Sequence, residues 1–166
     1  MSKCHIAMFA ASLFASHAAA DPGTMLDPTR GYRWELHGAT VSLHAIGGGL
    51  IREVRLPGAI FASSRDASPP DMLVMPRTGE LIVASNATPR LWRVHPTRRE
   101  MQVYDIELAA ERDKDFGFSA LAAAPDERTL YARSSTSSTA WRIDLGTQAA
   151  RPLTPAETAA AGYRAR

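Results

Sequence analysis

Few residues in this chain are of types that do chemistry, and their spacing limits what they can do. Nucleophilic catalysis needs a Ser or Cys beside a His base that an acid orients. No Gly-x-Ser-x-Gly turn surrounds any serine, and the single cysteine, Cys4, lies near the start of the chain. His37, His44 and His95 fall on separate strands or their ends, where a surface or half-buried ring is expected rather than a base. Metal patterns are missing too: the sequence has no His-Glu-x-x-His, no paired cysteines and no EF-hand loop. Asp113 with Asp115 would hold Ca²⁺ only with further oxygens from elsewhere. Gly47-Gly48-Gly49 joins two strands instead of opening a helix, so it is no phosphate cradle. No cofactor is expected. What remains is binding by loops, for which Arg65, Asp66, Asn86, Asp113, Lys114 and Asp115 are the candidates.

The elements that would position these residues repeat. From Met72 to Leu108 the chain shows four short runs rich in Val, Ile, Leu and Tyr, separated by clusters of Pro, Gly, Thr and Asn, the pattern of four strands joined by tight turns. Moving 49 residues forward takes Pro76 to Pro125, Leu81 to Leu130, Ser85 to Ser134, Trp92 to Trp141 and Arg93 to Arg142. A recurrent four-stranded unit is a sheet in an array. A third, more degenerate copy precedes these, with strands expected at Tyr32–Leu36, Thr40–Ala45 and Leu50–Leu56 and a poor outer strand at Ala59–Ala62. The last copy predicts strands at Phe118–Ala124, Thr129–Ser134, Thr139–Leu145 and Ala149–Leu153. The copies therefore cover about 31–62, 71–108 and 117–153. Residues 21–30 read as an extended lead-in. The links Ser63–Pro70 and Ala109–Asp115 read as loops, the second a solvated run of charges. In residues 154–166, Thr154-Pro155-Ala156-Glu157 has the form of a capping box, which predicts a short helix from Pro155 to about Ala161 followed by a tail.

Composition bounds the class. At 166 residues, with 45% hydrophobic and 22% charged residues, the chain suits one globular domain. Its net charge is +2, and the basic residues, all Arg except Lys3 and Lys114, are dispersed among acids. That dispersal argues against a nucleic-acid stripe. Residues 1–20 have the form of a secretory signal peptide: Lys3, an apolar run Ile6–Ala15, then small residues ending at Ala20. The run is too short to span a bilayer, for which about 20 residues are needed. Cleavage before Asp21 would place the protein in the periplasm or outside the cell, and it would then contain no cysteine.

Ala124-Pro125-Asp126-Glu127-Arg128-Thr129-Leu130-Tyr131-Ala132, followed by Trp141-Arg142-Ile143-Asp144-Leu145-Gly146-Thr147, resembles the YVTN-type β-propeller repeat. Pro76–Ser85 with Leu91–Thr97 is similar both to that repeat and to NHL or gluconolactonase-like propellers. Glu127-Arg128 stands in place of the family's glycine turn, Arg133 where Asn is usual, and the first copy lacks the Pro hairpin. The resemblance implies an all-β fold: a partial β-propeller of about three four-stranded antiparallel blades with a short C-terminal helix. Propellers close with four to eight blades. Three blades would leave apolar faces or strand edges open, so that either a homodimer or another, propeller-completing protein closes the ring, or the chain is a truncated relative, or it is a compact open arrangement capped by the lead-in and the C-terminal helix. The expected role is an exported, non-catalytic binding or scaffold protein. The alternatives are a gluconolactonase-like or quinoprotein-like Ca²⁺-dependent enzyme and a truncated propeller remnant.

Overall fold

A computed structural model describes residues 23–63, 65–109 and 116–160; the expected signal segment and Asp113, Lys114 and Asp115 lie outside them. The fold is all-β, with three antiparallel sheets in chain order and one short helix. The first sheet comprises β1 (Thr24–Asp27), β2 (Tyr32–His37), β3 (Thr40–Ala45) and β4 (Leu50–Arg55). The second comprises β5 (Asp71–Val74), β6 (Leu81–Ala84), β7 (Arg90–Val94) and β8 (Met101–Asp105). The third comprises β10 (Phe118–Ala123), β11 (Thr129–Ser134), β12 (Ala140–Asp144) and β13 (Ala149–Pro152), with the short β9 (Glu107–Leu108) added in parallel beside β13. Each sheet is a meander. The first strands β1, β5 and β10 lie side by side, so the sheets splay outward from them as blades from a hub.

Period-two alternation explains the stacking. On the second blade Met72, Leu81, Val83, Trp92 and Val94 face the first blade, where they meet Trp34, Val41, Leu43 and Leu56. The intervening Leu73, Ile82, Ala84, Leu91 and Tyr104 face the third blade and pack on Phe118, Leu130, Trp141 and Ile143. The whole of β6 is therefore buried, Leu-Ile-Val-Ala with no polar position, as a strand covered on both faces must be. Trp34, Trp92 and Trp141 are 1%, 0% and 0% exposed, so all three fill the space between sheets; burying a large side chain in this way contributes roughly 2–3 kcal/mol.

The first blade differs from its expected bounds. Its innermost strand is β1, inside the segment read as a lead-in, and Ala59–Ala62 forms no outer strand. Four residues bounded by Pro22 and Pro28 are too few to show alternation, yet Met25 pairs with Trp34 and Asp27 with Tyr32. The second copy also ends sooner than expected. Ile106 donates its N–H to Pro89, while Glu107 and Ala109 donate theirs to Gln148 and Ala150, so the chain crosses to the third blade and covers its outer edge.

The repeat is visible in atomic detail. Ser85 Oγ accepts from the N–H groups of Ala87 and Thr88 at 3.1 and 3.0 Å. Ser134 Oγ, 49 residues on, accepts from Thr136 and Ser137 at 3.3 and 3.2 Å. Helix α1 (Pro155–Ala160) starts at the predicted capping box: Glu157 N–H donates to Thr154 Oγ1 and Thr154 N–H to Glu157 Oε2. Arg151 on β13 donates to both Glu157 oxygens, and these bonds hold that carboxyl well below the usual carboxylate range.

Candidate binding surface

The link from the first blade to the second runs across one end of the stack and is tied down along its length. Ser85 and Asn86 follow β6 directly and supply most of the ties. Ser85 Oγ donates to Ile60 O at 2.6 Å. Asn86 is 1% exposed, and its amide is fully used: Oδ1 accepts from Ala62 N at 2.9 Å, and Nδ2 donates to Ala62 O at 3.1 Å and Ser68 O at 2.9 Å. Ser68 N–H then donates to Ser135 O on the third blade at 2.9 Å. One link thus binds the ends of all three blades.

Beneath it, Gly117 packs against the same turn. A Cβ on Gly117 would stand 2.1 Å from Ser85 O and 2.4 Å from Asn86 C, so only glycine fits. Gly117 N–H donates to Ser135 Oγ, and Phe118 N–H to Ser85 O. Between the pinned residues Ala62 and Ser68, Arg65 and Asp66 stand exposed to solvent. Asp66 Oδ2 accepts from Ser63 Oγ at 2.5 Å, and the N–H groups of Asp66 and Ala67 return to Ser63 O, closing a tight turn at the tip.

Of the candidates read from sequence, then, Arg65 and Asp66 are presented at the surface, and Asn86 lies beneath them as the residue that holds their loop. The opposite end of the stack is clamped as well. Arg30 donates to Asp27 Oδ2 and to the carbonyls of Pro76 and Arg77, while Glu127 on the third blade accepts from Arg77 N–H. Arg52 reaches from β4 to the carbonyls of His95, Arg98 and Arg99; burial, with Arg99 nearby, lowers its pKa. His95 accepts from the N–H groups of Thr97 and Arg98 through Nδ1, which gives it a place in a turn.

Sequence inspection did not group the charges on the outward face of the first blade. Glu35 Oε1 lies 2.8 Å from Arg33 Nε, and its Oε2 lies 3.4 and 3.5 Å from Nε2 of His37 and His44. Arg33 Nε is near without being aligned for a hydrogen bond, so that contact is an ion pair by distance alone. The signal was there: Arg33, Glu35 and His37 alternate on one strand, and His44 lies opposite Arg33 on the next. Among the described residues no three His, Cys, Asp or Glu side chains converge to hold a metal ion.

The third blade also turns charge outward. Tyr131, Arg142 and Arg151 form one cross-strand row on its outer face. The end faces thus carry charge, and on the first blade it is mixed with apolar surface, because the exposed Leu26 and Leu50 share one cross-strand row with Arg33 and His44.

No family model matches the chain, and no curated protein matches it. Among solved structures, dihydro-heme d1 dehydrogenase NirN in complex with DHE is similar at 15% identity, with a TM-score of 0.40, over 80% of this chain and 36% of that one. The chain thus spans well under half the length of that protein. No described helix is long and apolar enough to cross a membrane.

Proposed function

We propose that this chain is an exported, non-catalytic binding or scaffold protein that engages its partner through the link between its first two blades. The observation that carries this reading is the pinning of that link. Its tip, Arg65-Asp66, is exposed, while the flanking backbone is fixed by Asn86, Ser85 and Ser135. A charged tip held by a rigid frame meets a partner with little ordering cost, and this favours recognition. The test compares partners captured from a periplasmic extract by the native protein and by Arg65→Ala/Asp66→Ala. A partner held by the native protein and lost by the variant is the expected result. An identical set of captured proteins would remove the link from the interface. Export is checked separately, by fractionation and by an N-terminus beginning at Asp21.

A further inference from the structure

β4 is the outermost strand of the first blade, so among the described residues one of its edges has no strand beside it. Leu56 N–H donates to Ala39 O, toward β3. Backbone direction alternates along a strand, so Val54 also faces β3, whereas Glu53 and Arg55 turn their N–H and C=O groups outward. Their side chains share the outer face of the sheet, since Glu53 lies opposite Ser42 and Arg55 opposite Thr40. Both are exposed, and neither has an ion-pair or hydrogen-bond partner among the described residues.

We propose that two copies of this chain pair edge to edge through β4, antiparallel about a two-fold axis at Val54. Charge selects the register. Pairing outward-facing residues allows Glu53 opposite Glu53, Arg55 opposite Arg55, or Glu53 opposite Arg55. The first two set like charges against each other across the axis. The third forms two Glu–Arg cross-strand pairs related by symmetry and lets the same residues exchange both backbone hydrogen bonds. The ladder ends where the partner's Pro57, which has no N–H to donate, would meet Ile51, the extra residue of a bulge in β4 and 48% exposed in the single copy.

The other outer edges are less suited. On β8, Asp105 is already bound to Arg90 at 2.5 Å, and on the third blade β13 is covered by β9. A charge placed on an edge only to prevent pairing would repel its own copy. Opposite charges two residues apart on one face are instead self-complementary in an antiparallel dimer.

The test is the absolute mass of the purified protein by light scattering across a dilution series, for which a dimer is expected. Glu53→Arg and Arg55→Glu each place like charges at both symmetric pairs and should weaken the dimer about tenfold or more. The double variant Glu53→Arg/Arg55→Glu restores opposite charges and should restore the dimer. Unchanged melting of the single variants at high dilution controls for folding. A native protein monomeric throughout the series, single variants that dimerise as well as the native chain, or a double variant that fails to recover would each overturn the proposal.

Discussion

Asn86→Ala is the substitution that most directly asks what holds the link between the first two blades. It removes three hydrogen bonds, to Ala62 N, Ala62 O and Ser68 O, from a side chain that is 1% exposed. At roughly 1 kcal/mol net for each bond, the loss is about 3 kcal/mol. That is a large share of a domain stability of roughly 5–15 kcal/mol. Asn86→Asp separates hydrogen bonding from packing, because the shape is kept. It retains the acceptor for Ala62 N–H but points a carboxylate oxygen at two carbonyls, so at neutral pH it should cost more than the alanine. As the pH falls and the carboxyl gains a proton, one donor returns and part of the loss should be recovered. Urea melts at constant slope measure the energies. Tryptic cleavage after Arg65 reads the loop itself, since that residue stands exposed between the pinned positions and should be cut faster once Ala62 and Ser68 are released. An alanine variant within about 0.5 kcal/mol of the native chain, with Arg65 cleaved at the native rate, would refute the reasoning.

Gly117→Ala drives a Cβ to 2.1 Å from Ser85 O, a backbone atom that cannot swing aside, and should cost about 3 kcal/mol or prevent folding; the urea midpoint measures it. Trp92 Nε1 donates to Pro57 O at 3.1 Å, whereas the buried Nε1 of Trp141 has no partner among the described residues. Replacement by Phe should therefore destabilise position 92 more than position 141, by about 1 kcal/mol on the same melts. Burial alone would raise the Glu80 carboxyl, but hydrogen bonds from Arg93 and Thr78 and the charge of Arg93 hold it below its ordinary 4.5. The resulting stability is present above that ordinary value and is lost as the pH falls through the lower folded one, so Glu80→Gln should flatten the acid limb of stability against pH.

The blades were legible where alternation ran long enough. Leu81–Ala84 and Leu130–Ser134 sit in matching strands of neighbouring sheets, and Trp92 and Trp141 repeat at the same place. β1 was not legible, because four residues between prolines look like any extended segment until Trp34 is there to pair with Met25. The path of β9 was hidden for a different reason: Asp105, Ile106 and Glu107 continue the alternation without a turn signal, and only the hydrogen bonds to Gln148 and Ala150 reveal the crossing. Arg65 and Asp66 read as loop residues where loops converge at the end of the array, and they stand exposed in the link. Asn86 was picked out by the same reasoning yet is buried, because a turn asparagine satisfies its own neighbourhood as readily as it meets a ligand.

How many blades the chain needs is answered differently by its faces and by its edges. A propeller completed face to face would bury the outward rows of the two end blades. On the first blade such burial would strip water from Arg33, Glu35 and His44, and on the third from Arg142, at a desolvation cost that apolar blade contacts elsewhere in the molecule do not incur. The internal junctions show what a face-to-face contact looks like here: tryptophan, leucine, isoleucine and valine on both sides. By that standard the outward rows are mixed, since Arg33 and His44 on the first blade share theirs with the exposed Leu26 and Leu50. Association along an edge leaves both of these faces solvated and uses backbone groups of β4 that no described strand pairs. The proposed edge pairing at Glu53 and Arg55 would therefore add a second copy without stripping water from Arg33, Glu35, His44 or Arg142.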